Sequence, residues 1–392
     1  MEEVFVLSAV RTPIGKYGGG LASVPPSDLA AKVVREAVSR SGVDSAQVGH
    51  AVFGNCIHTE KRDMYLSRVA AVNGGLDIGT PALTLNRLCG SGMQAIVSAS
   101  QMIMLGDCDV AVAGGAESMS RAPYWLPAMR WGARMNDTEA IDSMTGALSD
   151  PFDGCHMGVT AENVAADFRV SRADQDELAA ESHRRASAAI AAGRFKEQIL
   201  PIEIPGRKGV TVVDTDEHVR PGVSLEDMAK LKPAFAKDGT VTAGNASGIN
   251  DAAAAVILAS GSFVKSSGLT PMGRLVGYGH AGVEPRIMGM GPVPATQKVL
   301  ARTGLKVDEI DVFEVNEAFA AQALACVREL DLPAERVNPN GSGISLGHPV
   351  GASGAILVVK SLYELERTGG RYALNTMCIG GGQGIATIFE RA

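Results

Sequence analysis

The sequence predicts an α/β protein made of two related halves that are separated by an insertion. Strand-like and helix-like segments alternate over residues 1–118 and again from about residue 272, which is typical of a sheet covered by helices. Both stretches carry the same succession of motifs, which indicates a duplicated unit. The 392 residues, of which 46% are hydrophobic, suffice for more than one folding unit with large cores.

The first half contains three short apolar runs that are typical of buried strands, "VFVLSAV", "HAVFGNC" and "DVAVAGG". Between the first two, "DLAAKVVREAVSRSG" has the apolar period of a helix, and Ser27 is its candidate N-cap. The helix that follows "LNRLCGSG" has no charged residue from Met93 to Leu105, so we expect it to be buried. The segment of about residues 250–271 is assigned to this half as well.

The insertion, residues 119–249, differs from both halves in composition. It holds both tryptophans of the chain and one long polar helix, "RADQDELAAESHRRASAAIAAG", with Ser171 as candidate N-cap. We therefore expect a separate loop domain here.

The second half, residues 272–392, returns to apolar strands in "RLVGYGH", "IDVFEVNEAF", "YALNTMCIGG" and "IATIFE". A strand ends at Asn55 in the first half and at Asn316 in the second, and "CGSG" and "GHPVGASG" each open an apolar helix. Pseudo-symmetric packing of the halves would place Cys89 and His348 at equivalent helix N-termini near a shared interface.

Charge and cysteine usage exclude several classes of protein. The net charge is −7 with no basic run, which argues against nucleic-acid binding. The N-terminal residues lack the pattern of a signal peptide, and the apolar runs look too short to span a bilayer. Six cysteines without a CxxC pair suit a reducing cytoplasm, and the absence of clustered ligands disfavours a zinc site.

Four side chains at strand-to-helix junctions could carry chemistry. A helix N-terminus favours the thiolate of Cys89, and the imidazole of His348 could take a proton from a thiol. Cys378 precedes the glycines 380–382, whose N–H groups could bind an oxyanion. The amide of Asn316 could hold a water or a substrate oxygen.

Each of these residues also has a purely structural interpretation. Cys89 could be an inert core thiol, His348 could cap backbone groups, and Asn316 could be a helix N-cap. The glycines after Cys378 could simply form a turn. All four lie where α/β folds gather their sites, however, so the joint placement favours function.

These motifs, "NRLCGSGMQA", "NEAFAAQ", "GISLGHPVGASGA" and "MCIGGGQG", together resemble the thiolase family. The resemblance extends over essentially the whole chain, because "SAVRTPIGKYGG", "AGGAESMSRAPY", "HMGVTAENVA" and "TAGNASGINDAAAAV" follow in the family's order. The chain is most similar to the bacterial biosynthetic type, the acetyl-CoA acetyltransferases and β-ketothiolases.

The resemblance implies the thiolase fold, in which two pseudo-symmetric halves form five αβαβα layers with an inserted loop domain. Each half would contain a mixed five-stranded sheet, and residues 93–105 would lie between the sheets. It further implies a homotetramer, a dimer of dimers with contacts from part of residues 120–145, in the cytoplasm.

The resemblance also assigns the catalytic roles. Cys89 would carry the acyl group as a thioester, and His348 would deprotonate it and line an oxyanion site with a water held by Asn316. Cys378 would move the α-proton of the second acyl-CoA. The N–H groups of Cys89 and Gly380 would form the second oxyanion hole. The activity would be reversible Claisen condensation of acetyl-CoA with an acyl-CoA.

Coenzyme A enters as substrate and product, and no tightly bound cofactor or metal is implied. Arg220 would flank the adenine, within a basic zone formed with Arg207, Lys208, Lys230 and Lys232. The other positions that match CoA or acyl contacts are Leu148, His156, Met157, Phe235, Ala243, Ser247, Met288 and Phe319.

Departures from the common family pattern, such as Ala252, Ser342 and Ser345, leave the acyl-chain range open. Two other functions remain as alternatives. A decarboxylating condensing enzyme of the ketoacyl-synthase type resembles a Cys-His-His arrangement, but Cys378 stands at the third position here. A non-catalytic acyl-CoA-binding relative would have lost a reacting group.

Overall fold

The computed structural model describes residues 2–207 and 209–392. The strands in chain order are β1 Val4–Arg11, β2 Gly15–Lys16, β3 His50–Gly54, β4 Ala82–Leu85, β5 Val110–Ser118, β6 Tyr124–Trp125, β7 Ile141–Asp142, β8 Ile202–Gly206, β9 Gly209–Val213, β10 Asn250–Ser260, β11 Gly273–Gly282, β12 Val312–Val315, β13 Tyr372–Ile379 and β14 Gln383–Arg391. The α-helices are α1 Pro26–Ser41, α2 Leu66–Gly74, α3 Ser91–Leu105, α4 Ser143–Ala147, α5 Met157–Asp167, α6 Arg172–Ala191, α7 Leu225–Ala229, α8 Gly261–Ser267, α9 Pro292–Thr303, α10 Ala320–Glu329, α11 Gly343–Leu346 and α12 Val350–Thr368.

The two halves repeat one strand arrangement. The order along the main sheet is β4-β3-β5-β10-β1-β11-β14-β13-β12, and β2 pairs with β10. In the first half β3 runs parallel to β4 and β5, and β10 lies antiparallel between β5 and β1. In the second half β12 runs parallel to β13, and β14 lies antiparallel between β13 and β11. The pattern supports the duplication inferred from the motifs.

The sheets differ from two separate five-stranded sheets in two respects. The second half has four strands, and the place of the fifth is taken by a single parallel bridge between Phe313 and Val337. The two sheets are also joined edge to edge, because β1 pairs with β11 at Phe5–Arg274 and Val6–Gly273. Each half thereby hides one sheet edge that would otherwise be open to solvent.

Strand β10 is apolar along most of its length because both of its faces are buried. Its alternate residues Ala254, Val256 and Leu258 face the core between the two halves. The intervening residues Ala255 and Ile257 face the outer core beneath α1. A strand that is buried on both faces has no polar side, so the usual alternation of apolar and polar residues is absent.

Helices α3 and α12 form the middle layer and touch through glycines. A Cβ on Gly92 would lie 2.8 Å from the backbone nitrogen of Ala355, and one on Gly354 would lie 2.5 Å from that of Met93. The stretch Leu88–Leu105 has a mean hydropathy of 1.2 and is long enough to cross a membrane, contrary to the expectation from the sequence. It is 56% buried within the protein, because α3 packs between the sheets.

Of the two helix N-caps predicted from the sequence, the structure confirms one. Ser171 caps α6, since its hydroxyl accepts from the N–H of Asp174. The assignment of Ser27 as a cap is wrong: α1 begins at Pro26, and its N-cap is Pro25 without a side-chain bond. A proline at the first helical position is favourable because it has no N–H to satisfy.

A buried ion pair ties the insertion to the first half. Arg11 of β1 donates to both carboxylate oxygens of Asp216, at 2.7 and 2.9 Å, and its Nε donates to Gln198 at 2.7 Å. All three side chains are buried, so each charge depends on its partner for solvation. The bonds hold the segment after Asp216, which borders the cavity described next.

Candidate active site

One cavity of about 680 Å³ collects nearly all the residues that the sequence singled out. It is bordered by the insertion and by both halves. Of the predicted catalytic residues, Asn316 and Cys378 are absent from its lining. The predicted residues that line it are Cys89, His348, Gly380, Leu148, His156, Met157, Arg220, Phe235, Ala243, Ser247, Met288 and Phe319.

Cys89 lies in the turn Leu88–Gly90 that opens α3. The backbone N–H groups of Gly380 and of Cys89 itself point at its sulfur and favour the thiolate. Burial nevertheless dominates and raises the pKa of the Cys89 thiol to about 11. Desolvation therefore outweighs the stabilisation by the helix N-terminus, and the thiol needs a base to remove its proton.

His348 is held at three points. Its backbone N–H donates to Asn250 Oδ1 at 2.9 Å, its Nδ1 lies 2.6 Å from Ser353 Oγ, and its Nε2 lies 3.4 Å from Asn316 Nδ2. Gly347, with φ of 114°, supplies the backbone conformation before it. Burial lowers the pKa of His348 to about 4, so the imidazole is neutral and can act as a base.

Asn316 follows the last residue of β12 and is 1% exposed. Its backbone N–H donates to Thr376 on β13 at 3.0 Å, which fixes the position of its amide next to His348. The alternative role as a helix cap is wrong, because α10 begins after Phe319 without a side-chain cap.

Cys378 is fully buried on β13 behind the wall of the cavity. It packs with Met157, Met288 and Phe319 in one apolar cluster. Burial first, and then the nearby charge of an ionised Cys89, raise the pKa of Cys378 well above its usual value. The two thiols are therefore electrostatic neighbours, although they come from different halves of the chain.

Aromatic residues form one wall of the cavity. The ring of His156 stacks on Phe235 with centroids 4.7 Å apart, and Phe235 meets Phe319 edge to face at 6.0 Å. His156 also accepts the N–H of Gly158 at 3.0 Å and so caps α5. One edge of the imidazole is therefore bonded to its own helix, and one face of the ring is covered by Phe235.

The charged residues of the cavity differ partly from the basic zone predicted from the sequence. Arg220 lines the cavity, but Arg207, Lys230 and Lys232 do not, and Lys208 lies outside the described residues. Lys230 instead pairs with Asp227 at 3.1 Å on the surface.

Lys16, Tyr17 and Glu217 also line the cavity and were not predicted. Glu217 accepts the backbone N–H groups of Lys16 and Gly20 at 3.1 Å, which shapes the loop after β2. Within the described part of the chain, Lys16 forms no ion pair. The motif "RTPIGKYGG", which contains Lys16 and resembles a thiolase segment, was the feature of the sequence that could have pointed to this residue. The sequence alone indicated no contact between this motif and the insertion.

Among residues 2–207 and 209–392, no three His, Cys, Asp or Glu side chains are clustered so as to hold a metal ion.

Comparison with known proteins places the whole chain in one family. The family models "Thiolase, N-terminal domain" and "Thiolase, C-terminal domain" match residues 4–262 and 269–391. The chain is 65% identical to Beta-ketothiolase BktB of Cupriavidus necator over 99% of both chains. It is 47% identical to an acetyl-CoA acetyltransferase of Pseudomonas aeruginosa over 100% of both chains.

Solved structures agree with these sequence matches. The acetyl-CoA acetyltransferase of Bacillus anthracis superimposes with a TM-score of 0.98 at 45% identity, covering 100% of this chain and 99% of that one. Human mitochondrial 3-ketoacyl-CoA thiolase in complex with CoA gives 0.97 at 44% identity, covering 100% and 98%. The chain belongs to the thiolase family.

Proposed function

We propose that this thiolase joins acetyl-CoA to an acyl-CoA by reversible Claisen condensation, and cleaves the resulting 3-ketoacyl-CoA in reverse. One observation carries the proposal: the half-buried thiol of Cys89 and the neutral imidazole of His348 line the same cavity of about 680 Å³. A cavity of this size suits the acyl-pantetheine part of a CoA thioester.

In the first half-reaction, Cys89 becomes acylated. Nε2 of His348 removes the thiol proton, and the sulfur attacks the thioester carbonyl of acyl-CoA. The N–H groups of Cys89 and Gly380 stabilise the tetrahedral oxyanion. The carbon–sulfur bond to CoA breaks, and the departing thiolate takes the proton back from His348. The products are free CoA and a Cys89 thioester, which splits a difficult transfer into two easier steps.

In the second half-reaction, the thiolate form of Cys378 removes the α-proton of acetyl-CoA. The carbonyl oxygen of acetyl-CoA lies in the oxyanion site beside the His348 ring and accepts from a water held by Asn316, so negative charge can develop there. The α-carbon attacks the carbonyl carbon of the Cys89 thioester, and a carbon–carbon bond forms. The bond between this carbon and the Cys89 sulfur then breaks, and the sulfur takes the proton from Cys378 and leaves as a thiol. A thiol with a raised pKa is a weak acid, so its thiolate is a comparatively strong base for a C–H proton.

The phosphates of CoA would meet Lys16 and Arg220 at the cavity. Both cations line it, and the backbone of Lys16 is held by Glu217. We propose CoA as substrate and product rather than as a resident cofactor.

Lys16→Met tests this contact. We expect KM for acetyl-CoA to rise roughly 3- to 10-fold, since one exposed charge contact is modest. KM for the N-acetylcysteamine thioester, which has no phosphate, should not change. Lys232→Met is the matched control, because Lys232 does not line the cavity. Equal effects on both thioesters would contradict a phosphate contact at Lys16.

The assignment of Cys89 as nucleophile is tested with radiolabelled acetyl-CoA. The wild type should retain label on the denatured protein, and Cys89→Ser should not. Cys155→Ser is the matched control, since Cys155 is a free cysteine outside the cavity lining. Label retained by Cys89→Ser would sink the nucleophile assignment.

The chain-length range follows from the wall formed by Met157, Met288 and Phe319, which are all buried in one cluster with Cys378. Measuring thiolysis of 3-ketoacyl-CoA substrates of increasing length would define it.

We further propose a homotetramer in the cytoplasm. The segment of residues 120–145 exposes several large apolar side chains, which suggests a protein contact. Those exposed by half or more are Tyr124, Trp125, Met129, Trp131 and Met135. The six free cysteines suit a reducing compartment.

A further inference from the structure

Ser353 lies behind His348 on the first turn of α12 and does not line the cavity. Its side chain is 3% exposed. Its Oγ is 2.6 Å from His348 Nδ1 and 2.9 Å from the carbonyl oxygen of Pro349, one helical turn earlier. We propose that Ser353 is a positioning residue that keeps His348 in the tautomer with its proton on Nδ1. The inference rests on the proposed function.

The count of protons supports this tautomer. A serine hydroxyl has one proton, and the Pro349 carbonyl can only accept. When Ser353 donates to Pro349, it must accept at its other contact, so the proton between Ser353 and His348 belongs to Nδ1. The reverse arrangement would leave the 2.9 Å contact with Pro349 without a hydrogen.

Asn316 leads independently to the same tautomer. Its Nδ2 is a donor and lies 3.4 Å from His348 Nε2. If Nε2 carried the ring proton, its N–H would face the N–H of Asn316. If Nε2 carries a lone pair instead, it can accept from Asn316. Both contacts therefore leave Nε2 unprotonated, and Nε2 is the atom that has to take the proton of Cys89.

The hydroxyl also suits the base in its charged state. When His348 has taken the proton of Cys89, its Nδ1–H still donates to Ser353, and no proton has to move there. Ser353 is uncharged, so it orients the ring without raising its pKa as a carboxylate would. This agrees with an imidazole that stays neutral in the resting enzyme.

The test is the rate of Cys89 acylation, followed as the burst of CoA released from acetyl-CoA. We expect Ser353→Ala to slow acylation roughly 10- to 100-fold, because the productive tautomer is no longer favoured. KM for acetyl-CoA should change less than about twofold, since Ser353 does not line the cavity. Ser353→Thr should restore the rate, because threonine can also bond the carbonyl one turn earlier in a helix.

Ser361→Ala is the matched control. Ser361 is fully buried on the same helix, and its hydroxyl donates only to the carbonyl of Val358, at 3.0 Å. It should acylate like the wild type. Equal slowing by Ser361→Ala would show that any lost serine in α12 has this effect and would overturn the proposal, as would an unchanged rate in Ser353→Ala.

If Ser353→Ala does not fold, Ser353→Cys tests whether His348 needs a good hydrogen-bond acceptor at this position. A thiol has a similar size to the hydroxyl but is a weak acceptor. Acylation as fast in Ser353→Cys as in Ser353→Thr would overturn the role of Ser353, and slower acylation would support it. Failure of the wild type itself to acylate would overturn the proposed function and this inference with it. If the wild type acylates and Ser353→Ala acylates equally fast, the inference about Ser353 is overturned and the proposed function stands.

Discussion

Replacement of His348 by asparagine should make Cys89 acylation strongly dependent on pH. In the wild type the pKa of the Cys89 thiol is about 11 and that of His348 is about 4. Between these values the thiol of Cys89 and the imidazole of His348, which line the same cavity, are both neutral. We therefore expect a flat rate of acylation from about pH 5 to pH 10 in the wild type.

The size of the effect follows from the thiol. Without a base, acylation has to use the thiolate already present, which at pH 7 is about one part in 10⁴ for a pKa of about 11. Forming that thiolate costs roughly 5 kcal/mol at about 1.4 kcal/mol per pH unit. General-base catalysis typically contributes about 10²- to 10⁴-fold, so we expect a loss in this range at pH 7.

The measurement is single-turnover release of CoA from acetyl-CoA at pH 6 to pH 10. The rate of His348→Asn should rise about tenfold per pH unit, in proportion to the thiolate. His280→Asn is the matched control: the pKa of His280 is also lowered to about 4, but its ring bonds Gln94 at 2.8 Å outside the cavity. A His348→Asn rate that stays parallel to the wild type, or falls less than tenfold at pH 7, would refute the reasoning.

Three further predictions follow from the structure. Cys378→Ser should still acylate Cys89 but lose condensation by roughly 10³-fold or more, and loss of acylation alone would contradict this division of roles. Burial raises the pKa of Glu117 from 4.5 to about 7, so the stability it contributes is full below pH 4.5 and falls by about 3 kcal/mol as the pH rises to 7. Urea unfolding at pH 5 and pH 8 should show that Glu117→Gln lacks this decline, and an unaltered pH dependence would contradict it. Trp131→Ser, at a side chain 86% exposed, should shift the sedimentation of the proposed homotetramer to that of a dimer, and sedimentation equal to that of the wild type would exclude this contact.

The sequence was most informative where a local pattern reports a local environment. The uncharged run of α3 predicted burial, and the helix is buried over most of its length. The repeated motifs predicted the duplication, because each strand-to-helix junction in one half has a counterpart in the other. The junctions therefore also identified Cys89, His348 and Asn316 as candidates, since loops at such junctions meet at one edge of a sheet.

The sequence failed where the outcome depends on residues that are distant along the chain. The pKa of Cys89 is raised because both halves enclose it, and a motif of a few residues shows only the helix N-terminus that lowers it. Lys16 was missed because its place at the cavity depends on Glu217, some 200 residues later. The joining of the sheets through β1 and β11 likewise depends on how the halves pack.

The sequence by itself thus determined the family and the α/β class, and it predicted the reacting groups, because these are encoded in local patterns of residue type. Only the tertiary structure decided their chemical state. Desolvation raises the pKa of Cys89 and lowers that of His348, and Ser353 and Asn316 contact the two ring nitrogens of His348. Protonation depends on solvent exclusion and on hydrogen-bond partners, and both are established only when the two halves and the insertion close around the cavity.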